Sequence, residues 1–333
     1  MGLIITDNKF YSDIASAIRS KAGTASTYLP EEMASAIMSI SSGGITPTGT
    51  ITLSENGTFD VINFASAIVD LNYAKKYDGA LSAYEDTSIT SLPYGAFCRT
   101  STLKTANFPN CTSVGQYCFE GCTTMSSINI NLSGSVANYA FGYCYSLPEL
   151  SFSKITSVGT YAFQYCSDVS TVTMPSLTSA FAYAFRYCAE LTSFSAPLLR
   201  YASTQCFVSC TKMTSWNLPS LVTAGAGCFS YNTKVTSYSL PLLKTLGTSV
   251  FYSNHALTSI TLPSVTSLPN YTFRYCSSLK SVYLPGSSIV TCTQYTFTNC
   301  TCSVYVPSSL LASYKAYTNW VTYWSSRLVA IPE

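Results

Sequence analysis

The chain has 333 residues, of which 10% are charged and 47% hydrophobic, with a formal net charge of +2. This composition excludes an intrinsically disordered chain and lacks the basic surplus that binding to nucleic acid or to an anionic membrane requires. The opening residues, MGLIITDNKF, contain no basic segment followed by an apolar run, so they predict no signal peptide, and no apolar run approaches the ~20 residues of a membrane span.

Two short regions precede the main part of the chain. Residues 1–43 predict a helical attachment region, because apolar residues recur at the four-residue spacing of an amphipathic helix. In the first helix these are Phe10, Ile14 and Ile18. Residues 44–75 alternate in the manner of two strands, and the pair Asn56 and Gly57 predicts a hairpin turn between them.

Residues 76–302 contain a repeat that a phenylalanine marks in every copy. Steps of 22 residues separate the first nine phenylalanines, and a step of 24 leads to the last. The phenylalanines are Phe97, Phe119, Phe141, Phe163, Phe185, Phe207, Phe229, Phe251, Phe273 and Phe297. This period predicts a solenoid of about ten stacked rungs, because a single rung cannot bury its own apolar side. The phenylalanines would form its structural spine.

A second column lies three residues after each phenylalanine and alternates between cysteine and asparagine. Its members are Cys122, Cys144, Cys166, Cys188, Cys210, Asn232, Asn254, Cys276 and Cys300. Buried backbone groups of a turn need a small polar partner, so this column predicts a structural ladder. The residue before each phenylalanine is small, and these three positions predict one buried face of a short helical or 3₁₀ turn.

Each rung also predicts one short strand. The residues nine and eleven after the phenylalanine are apolar, as Val172 and Met174 are, and Pro175 follows them. A spacing of two is typical of a strand with one buried face, and proline ends such a strand because it lacks an N–H donor.

The repeat resembles the leucine-rich repeats of BspA-like surface proteins over about residues 80–302. The matching string is LTSITLPSVTSLPNYTFRYCSSL, from Leu257 to Leu279, together with its relatives in the other rungs. The resemblance implies a right-handed solenoid that serves adhesion or recognition.

Residues 303–333 predict a C-terminal cap made of a strand and a helix. The strand covers Val304 to Val306, and the helix begins at about Ser308. Apolar residues of that helix are Leu311, Tyr314, Trp320 and Trp324. A cap is expected because the last rung would otherwise expose its core and an open sheet edge.

The flanking segments resemble parts of tailed-phage and prophage tail-associated proteins of gut bacteria. The strings that carry the resemblance are IASAIRSKAGT with LPEEMASAI, NGTFDVINFASAIVDL, and VYVPSSLLASYKAYTNW. The resemblance implies a virion protein that is made in the bacterial cytoplasm and leaves the cell by lysis.

Cysteine pairs are the first candidates for chemistry. Cys118 with Cys122, and Cys206 with Cys210, have the spacing of metal half-sites, but the chain has one histidine, His255. Both pairs fall on repeat columns where other rungs carry Ala or Asn. We therefore predict buried, reduced cysteines, with no metal and no cofactor. The redox state stays open for Cys98, Cys111, Cys292 and Cys302.

Carboxylates are the second candidates. Asp168 and Glu190 occupy the same position in adjacent rungs, and a spacing near 5 Å is that of a retaining glycosidase. The alternative is a solvated turn on which Glu190 pairs with Lys212. We favour the alternative, because a glycosidase also needs a cleft that desolvates its acid. The sequence also has no nucleophile with a base beside it, and it predicts no enzyme.

Tyrosines two residues before and after the phenylalanine are the candidate ligand-binding residues. If the turn is helical, both columns point away from the buried stripe and form an exposed aromatic band. Its densest part comprises Tyr117, Tyr139, Tyr143, Tyr161, Tyr165, Tyr183 and Tyr187. Tyrosine with Ser and Thr is typical of adaptable binding surfaces. Alternatively, these tyrosines stack between rungs and only stabilise the rod.

The solvent side of the strands is a second candidate surface, flat, uncharged and rich in small polar residues. It comprises Asn107, Asn129, Ser151, Thr173, Ser195, Asn217, Ser239, Thr261 and Tyr283. Such a face suits hydrogen bonding to a glycan, although any solvated sheet face has this composition.

These patterns together predict a non-enzymatic recognition scaffold, namely a phage receptor-binding or tail-accessory protein in the virion. Its partners would be a host-surface protein or glycan and, through the N-terminal region, other tail proteins. Neither nucleic acid nor a membrane span is expected, and a homo-oligomer is possible. The alternatives are a cell-surface or secreted BspA-like adhesin and a purely structural virion spacer. The sequence does not identify the ligand, the host, the oligomeric state or the solenoid face that binds.

Overall fold

The computed structural model describes residues 82–331 and the backbone of two short strands, Thr50–Thr52 and Asp60–Ile62. The two strands pair antiparallel, in the segment for which the sequence predicts a hairpin. The predicted helices of residues 1–43 and the predicted hairpin turn lie outside the described residues.

The main body is a solenoid of about eleven turns, in which each turn contributes strands to two columns. The strands of column A are Ala83–Glu85, Thr105–Phe108, Ser127–Ile130, Glu149–Ser151, Thr171–Thr173, Ser193–Ser195, Ser215–Asn217, Ser237–Ser239, Ser259–Thr261, Ser281–Tyr283, Ser303–Val306 and Leu328–Ala330. The strands of column B are Ser91–Leu92, Ser113–Val114, Ser133–Val136, Lys154–Val158, Ser179–Ala180, Tyr201–Ala202, Thr223–Ala224, Thr245–Leu246, Ser267–Leu268 and Thr291–Cys292.

Column A follows from the alternation in the sequence. Its strands pair in parallel with the same residues one turn later, as Val172 does with Phe194. Val172 is fully buried, whereas Thr173 beside it is exposed. The chain therefore places one apolar residue per strand in the core and leaves hydroxyls outside, as a half-buried sheet requires.

Column B consists of strands that the sequence pattern does not predict. It lies five to six residues before each phenylalanine, and its pairs are parallel, as Ala180 with Ala202 shows. Four rungs have a glycine directly after this strand or at its end. At Gly159 a Cβ would lie 2.8 Å from both the Val136 carbonyl oxygen and the Asn138 nitrogen, so the neighbouring rung leaves no space for a side chain.

The phenylalanine spine runs through the centre of the solenoid. All ten rings are 0–1% exposed. Consecutive rings stack nearly parallel, with centroids 5.2 Å apart between Phe141 and Phe163 and 5.6 Å apart between Phe163 and Phe185. Because each ring contacts the ring of the rung on either side, the core is continuous although no single rung encloses one.

The segment that carries the spine is not a helix, so the predicted helical or 3₁₀ turn is wrong. Its residues form hydrogen-bonded turns with left-handed backbone on both sides of the phenylalanine. Spacing along the sequence could not separate this turn from a helix, since both bury the same three positions.

The last turn is closed by several short elements instead of the one predicted helix. These are a 3₁₀ turn Ser308–Leu310, helix α1 Leu311–Ala316, a π-helical turn Trp320–Trp324 and a 3₁₀ turn Ser325–Arg327. The chain then adds strand Leu328–Ala330 to the edge of column A. Within residues 82–331, no helix is both long and apolar enough to cross a membrane.

Candidate recognition face

The turn around each phenylalanine is held by two alternating sets of backbone hydrogen bonds. In the rung of Phe163, the N–H groups of Tyr161, Phe163 and Tyr165 donate to carbonyls of the next rung at 2.9, 2.9 and 2.8 Å. The residues between them donate within the rung, as Ala162 does to Gly159 at 3.2 Å. The backbone therefore takes the left-handed conformation two residues before and two residues after the phenylalanine. The φ angle is +58° at Tyr161 and at Tyr165.

The left-handed backbone recurs in every rung at the positions two before and two after the phenylalanine, apart from the longer last step. All sixteen non-glycine residues with positive φ in the described chain belong to these two columns. Ten of them are Tyr117, Tyr139, Tyr143, Tyr161, Tyr165, Tyr183, Tyr187, Tyr231, Tyr271 and Tyr275. A bulky side chain in this conformation costs roughly 1 kcal/mol or more relative to glycine. Tyrosine is thus placed where backbone sterics alone favour glycine.

The tyrosines form two stacked ladders along the rod. The first ladder consists of Tyr117, Tyr139, Tyr161 and Tyr183, with ring centroids 4.5–4.6 Å apart. The second ladder consists of Tyr143, Tyr165 and Tyr187, with centroids 5.1 and 4.6 Å apart. Interplanar angles are 1–24°, so each ring lies face to face with the next.

Stacking leaves the ladder tyrosines half-buried, whereas the sequence predicts an exposed aromatic band. The helical turn on which that prediction rested is absent, and the rings cover one another instead of projecting separately into solvent. Burial, and then the neighbouring phenols, raise the pKa of Tyr139 and of Tyr143. Their hydroxyl groups are therefore neutral donors and acceptors at physiological pH. Stacking contacts between rungs were the alternative that the sequence left open, and the structure contains them.

The Cys/Asn ladder satisfies the carbonyls of the spine. The Sγ of Cys122 donates to the carbonyl oxygen of Phe97 at 3.0 Å, one rung back, and Cys144 and Cys166 repeat this contact at 3.1 and 3.2 Å. At Asn254, which stands in place of cysteine, Nδ2 donates to the Phe229 oxygen at 2.9 Å, whereas Nδ2 of Asn232 has no hydrogen-bond partner among the described residues. This contact gives the physical reason why the two residue types share the position.

All fourteen cysteines are buried, and within residues 82–331 none is in a disulfide. Burial raises the pKa of Cys122 and of Cys188 to about 12, so these thiols hold their protons at neutral pH. The described part of the chain also contains no group of three or more His, Cys, Asp or Glu that could hold a metal ion.

The two candidate carboxylates, Asp168 and Glu190, are both exposed. Glu190 lies 3.7 Å from the Lys212 ammonium, and both side chains are about half exposed. This is the ion pair that the alternative to a glycosidase predicted, and surface pairs of this kind contribute little to stability.

The solvent side of column A also forms ladders. Asn129 donates to Asn107 at 2.8 Å, and Asn107 in turn donates to Glu85 at 2.7 Å. At the other end, the rings of Tyr283 and Tyr305 stack with centroids 4.6 Å apart. Some of the polar side chains of this second candidate surface therefore make their hydrogen bonds to neighbouring rungs of the rod.

Two arginines on the tyrosine face were not singled out from the sequence. Arg186 lies between Tyr183 and Tyr187, and Arg274 occupies the same position four rungs later. In the sequence, these two arginines are marked by the motif Y-x-F-R-Y-C, which occurs in these two rungs and in no others.

This architecture is that of a repeat scaffold with an extended surface and a continuous core. A family model described as the BspA type leucine rich repeat region matches residues 83–192, 134–255 and 200–318. The chain therefore belongs to the BspA-type leucine-rich-repeat family, which confirms the resemblance of its repeats. Among curated proteins, none matches the sequence.

Several solved structures of leucine-rich-repeat proteins are similar to the chain. A leucine-rich repeat protein from Bacteroides ovatus is 14% identical, with 85% of this chain and 90% of that chain covered and a TM-score of 0.39. A leucine rich repeat protein of T. pallidum is 20% identical, with 54% and 78% covered and a TM-score of 0.41. A leucine rich cell surface protein from Faecalibacterium prausnitzii is 19% identical, with 73% and 86% covered and a TM-score of 0.35.

Proposed function

We propose that this protein is a non-enzymatic recognition scaffold that attaches to a host-surface protein or glycan through its two tyrosine ladders. The observation that carries the proposal is the placement of ten tyrosines in left-handed turn positions. Conformational strain that is repeated on one surface is typical of functional sites, because selection for stability alone would remove it. Rigid phenol rings surrounded by hydroxyl groups are also the composition of adaptable binding surfaces.

The proposed location is the tail of a phage virion, with the N-terminal region attaching the protein to other tail proteins. The resemblance of the flanking segments to phage and prophage tail-associated proteins supports this location. A BspA-like adhesin on the bacterial surface is the second candidate, which the repeat family supports. Mass spectrometry of purified particles should detect the protein, whereas recovery only by protease treatment of intact cells would favour the adhesin.

The recognition surface is tested by changing Tyr143, Tyr165 and Tyr187 together to Ser. The backbone should accept this change, because Ser209 and Ser253 already occupy the equivalent position with φ of 61° and 57°. The buried stripe is untouched, so the far-ultraviolet spectrum should match that of the wild type. Attachment to target cells should fall at least tenfold, since the apolar area of three rings is lost.

The matched control replaces three exposed tyrosines outside the ladders, namely Tyr201, Tyr317 and Tyr323, by Ser. The control should attach like the wild type. Normal attachment by the folded ladder variant would remove the site from the second ladder. A ladder variant that fails to fold would show that the tyrosines stabilise the rod, as expected for a structural spacer.

A further inference from the structure

The column of the first tyrosine ladder is interrupted over three consecutive rungs. In the column of the first ladder, Tyr183 and Tyr271 are separated by Gln205, Gly227 and Ser249. All three keep the left-handed backbone, with φ of 50°, 61° and 59°. The rungs therefore retain the turn geometry but lack the ring, and a space opens on the face that is otherwise covered by stacked phenols.

This space is a groove of about 540 Å³. Its polar lining includes Gln205, Ser209, Ser230 and Ser249, and its aromatic lining consists of Tyr187, Tyr231 and Tyr252. The Tyr231 and Tyr252 rings lie 5.3 Å apart at 54°, so they do not stack face to face as the ladder rings do. Tyr231 is 47% exposed, which leaves much of its surface available to a ligand.

Arg186 stands at one end of the groove and is fixed by aromatic contacts. Its Cζ lies 4.7 Å from the centroid of the Tyr187 ring and 5.4 Å from that of Tyr183. One terminal nitrogen donates to the Tyr187 hydroxyl at 3.4 Å. The buried Nε has no hydrogen-bond partner among the described residues, so the guanidinium is held by packing more than by counter-charges.

Arg274 repeats this arrangement beyond the other end. Its Cζ lies 4.8 Å from the centroid of Tyr275, 5.0 Å from that of Tyr271 and 6.0 Å from that of Tyr252, which lines the groove. Four rungs separate Arg274 from Arg186, a distance of about 19 Å at the usual strand spacing. The two Y-x-F-R-Y-C rungs thus bracket the interruption with one cation on each side.

The surrounding half of the chain is basic. Between residues 191 and 331 there is no Asp or Glu, whereas eight positions are Lys or Arg. All acidic residues other than Glu333 precede position 191. The small net charge of the whole chain therefore hides a strong segregation, and all groove-lining residues from Gln205 onward belong to the segment without carboxylates.

We propose that this groove binds an acidic glycan, with its anionic groups at Arg186 and Arg274 and its sugar rings against Tyr231 and Tyr252. Hydroxyl and amide groups along the floor match the hydroxyls of a sugar chain, and exposed phenol faces accept the C–H face of a pyranose. A pre-oriented guanidinium binds a carboxylate or a sulfate in bidentate fashion. The inference deepens the proposed recognition function, on which it rests for its biological setting, and it shares only Tyr187 with the second-ladder test.

Charge density favours a glycan over a single-stranded nucleic acid. A nucleic acid strand carries one phosphate per about 3.4 Å, so a partner strand needs a continuous basic track. Here the arginines stand about 19 Å apart, with Gln205, Gly227 and Ser249 between them. This sparse pattern fits a chain in which acidic sugars alternate with neutral ones.

The test is an array of immobilised oligosaccharides, in which carboxylated and sulfated members stand beside their neutral parents, with oligothymidylate as the nucleic acid. The full-length protein should bind acidic members and leave the neutral parents unbound, and the anion preferred identifies the source. Arg186→Gln and Arg274→Gln should each weaken binding roughly tenfold or more, because a charge-assisted contact is lost. Arg200→Gln removes the same charge outside the groove and should bind like the wild type.

A filling variant provides the fold control. Gly227→Tyr adds a tyrosine to the column of the first ladder, in which Tyr183 and Tyr271, two rungs away on either side, have the same left-handed conformation. Its Cβ would lie 3.2 Å from Gln205 Cγ and from Ser230 Oγ, so the variant should fold but melt a few degrees below the wild type, and it should lose glycan binding. Equal binding of neutral parents, binding of oligothymidylate alone, equal loss in Arg200→Gln, or no binding at all would each overturn the proposal. Cell attachment is also measured for a Tyr143→Ser, Tyr165→Ser double variant, which leaves Tyr187 and the groove unchanged, so the two proposals fail independently.

Discussion

At the scale of single residues, the Cys/Asn ladder shows how a repeat satisfies a buried carbonyl. A thiol is a weak donor that costs little to bury, so cysteine serves in most rungs. Asparagine makes a stronger hydrogen bond but brings an oxygen that also needs a partner. In the rung of Asn254 the Tyr238 hydroxyl donates to that oxygen. In the rung of Asn232 the oxygen accepts the N–H of Cys210 at 2.9 Å.

The buried thiols should make the rod sensitive to alkali. The pKa of Cys188 is raised by burial from 9.0 to about 12, so the unfolded thiol ionises first as the pH rises. The unfolded state then binds fewer protons than the folded state, and stability that is fully present below about pH 9 is lost between pH 9 and about 12. The loss is on the order of 1 kcal/mol per pH unit for each such thiol.

Urea denaturation of wild type and Cys188→Ala, under reducing conditions at about pH 8 and about pH 10, measures this loss. The destabilisation caused by the substitution should shrink by about 1 kcal/mol between the two pH values, since the variant has one ionisable thiol fewer. Val235→Ala, a buried change without a titrating group, should show the same destabilisation at both. Equal shifts for both variants would contradict the role of the thiol.

At the scale of the elements, the sequence predicts column A, the spine and the Cys/Asn ladder, but neither column B nor the turn. In column A, polar residues alternate over four positions with an apolar pair, such as Val172 and Met174. This alternation is a recognisable strand pattern. Most column B strands have two residues, as Ser179–Ala180 does, which is too short for a period. The left-handed turn was hidden because tyrosine, unlike glycine, does not indicate positive φ.

For the same reason, the sequence predicts the candidate site only in part. The tyrosine columns are visible in the sequence, but their stacking depends on backbone reversal at residues such as Tyr161, which spacing does not encode. The groove is an interruption of a column, and it becomes apparent only when Gln205, Gly227 and Ser249 are seen side by side. A search for recurring residues does not find a site that is formed where the recurring tyrosine is absent.

The spine should tolerate truncation poorly in the middle of the rod. Phe163→Ala removes a fully buried ring that stacks on Phe141 and Phe185, and the rungs on both sides prevent collapse of the cavity. We expect a loss of about 3–5 kcal/mol in the free energy of unfolding. Phe181→Ala is the matched control, because its ring is 43% exposed, and it should cost far less. Similar melting temperatures for the two variants would contradict a structural role for the spine.

At the scale of the whole molecule, the rod is a one-dimensional stack, and its ends differ from its middle. Each rung contacts only its neighbours, so the last rung must receive from another source the hydrogen bonds that a following rung would supply. The cap supplies them through side chains. Indole nitrogens of Trp320 and Trp324 donate to the carbonyls of Val290 and Thr293, each at 2.8 Å, and the Asn319 amide donates to the Cys292 carbonyl at 2.7 Å.

The cap should therefore stabilise the rod locally and not throughout. Trp320→Ala removes a fully buried indole and leaves the Val290 carbonyl without its donor. We expect amide hydrogen exchange to accelerate in the last two or three rungs, because opening there no longer breaks the cap contacts. Exchange in the rungs of Phe119 to Phe185 should stay at the wild-type rate, since several intact interfaces separate them from the change.

Tyr323→Ala, on the same π-helical turn but 44% exposed, is the control and should leave exchange unchanged everywhere. Loss of the indole should also uncover the end of column B at strand Thr291–Cys292 and promote self-association, which light scattering would detect as a concentration-dependent increase in mass. If Trp320→Ala instead accelerated exchange equally along the whole rod, the stack would unfold as one cooperative unit, and additive coupling between neighbouring rungs would not describe it.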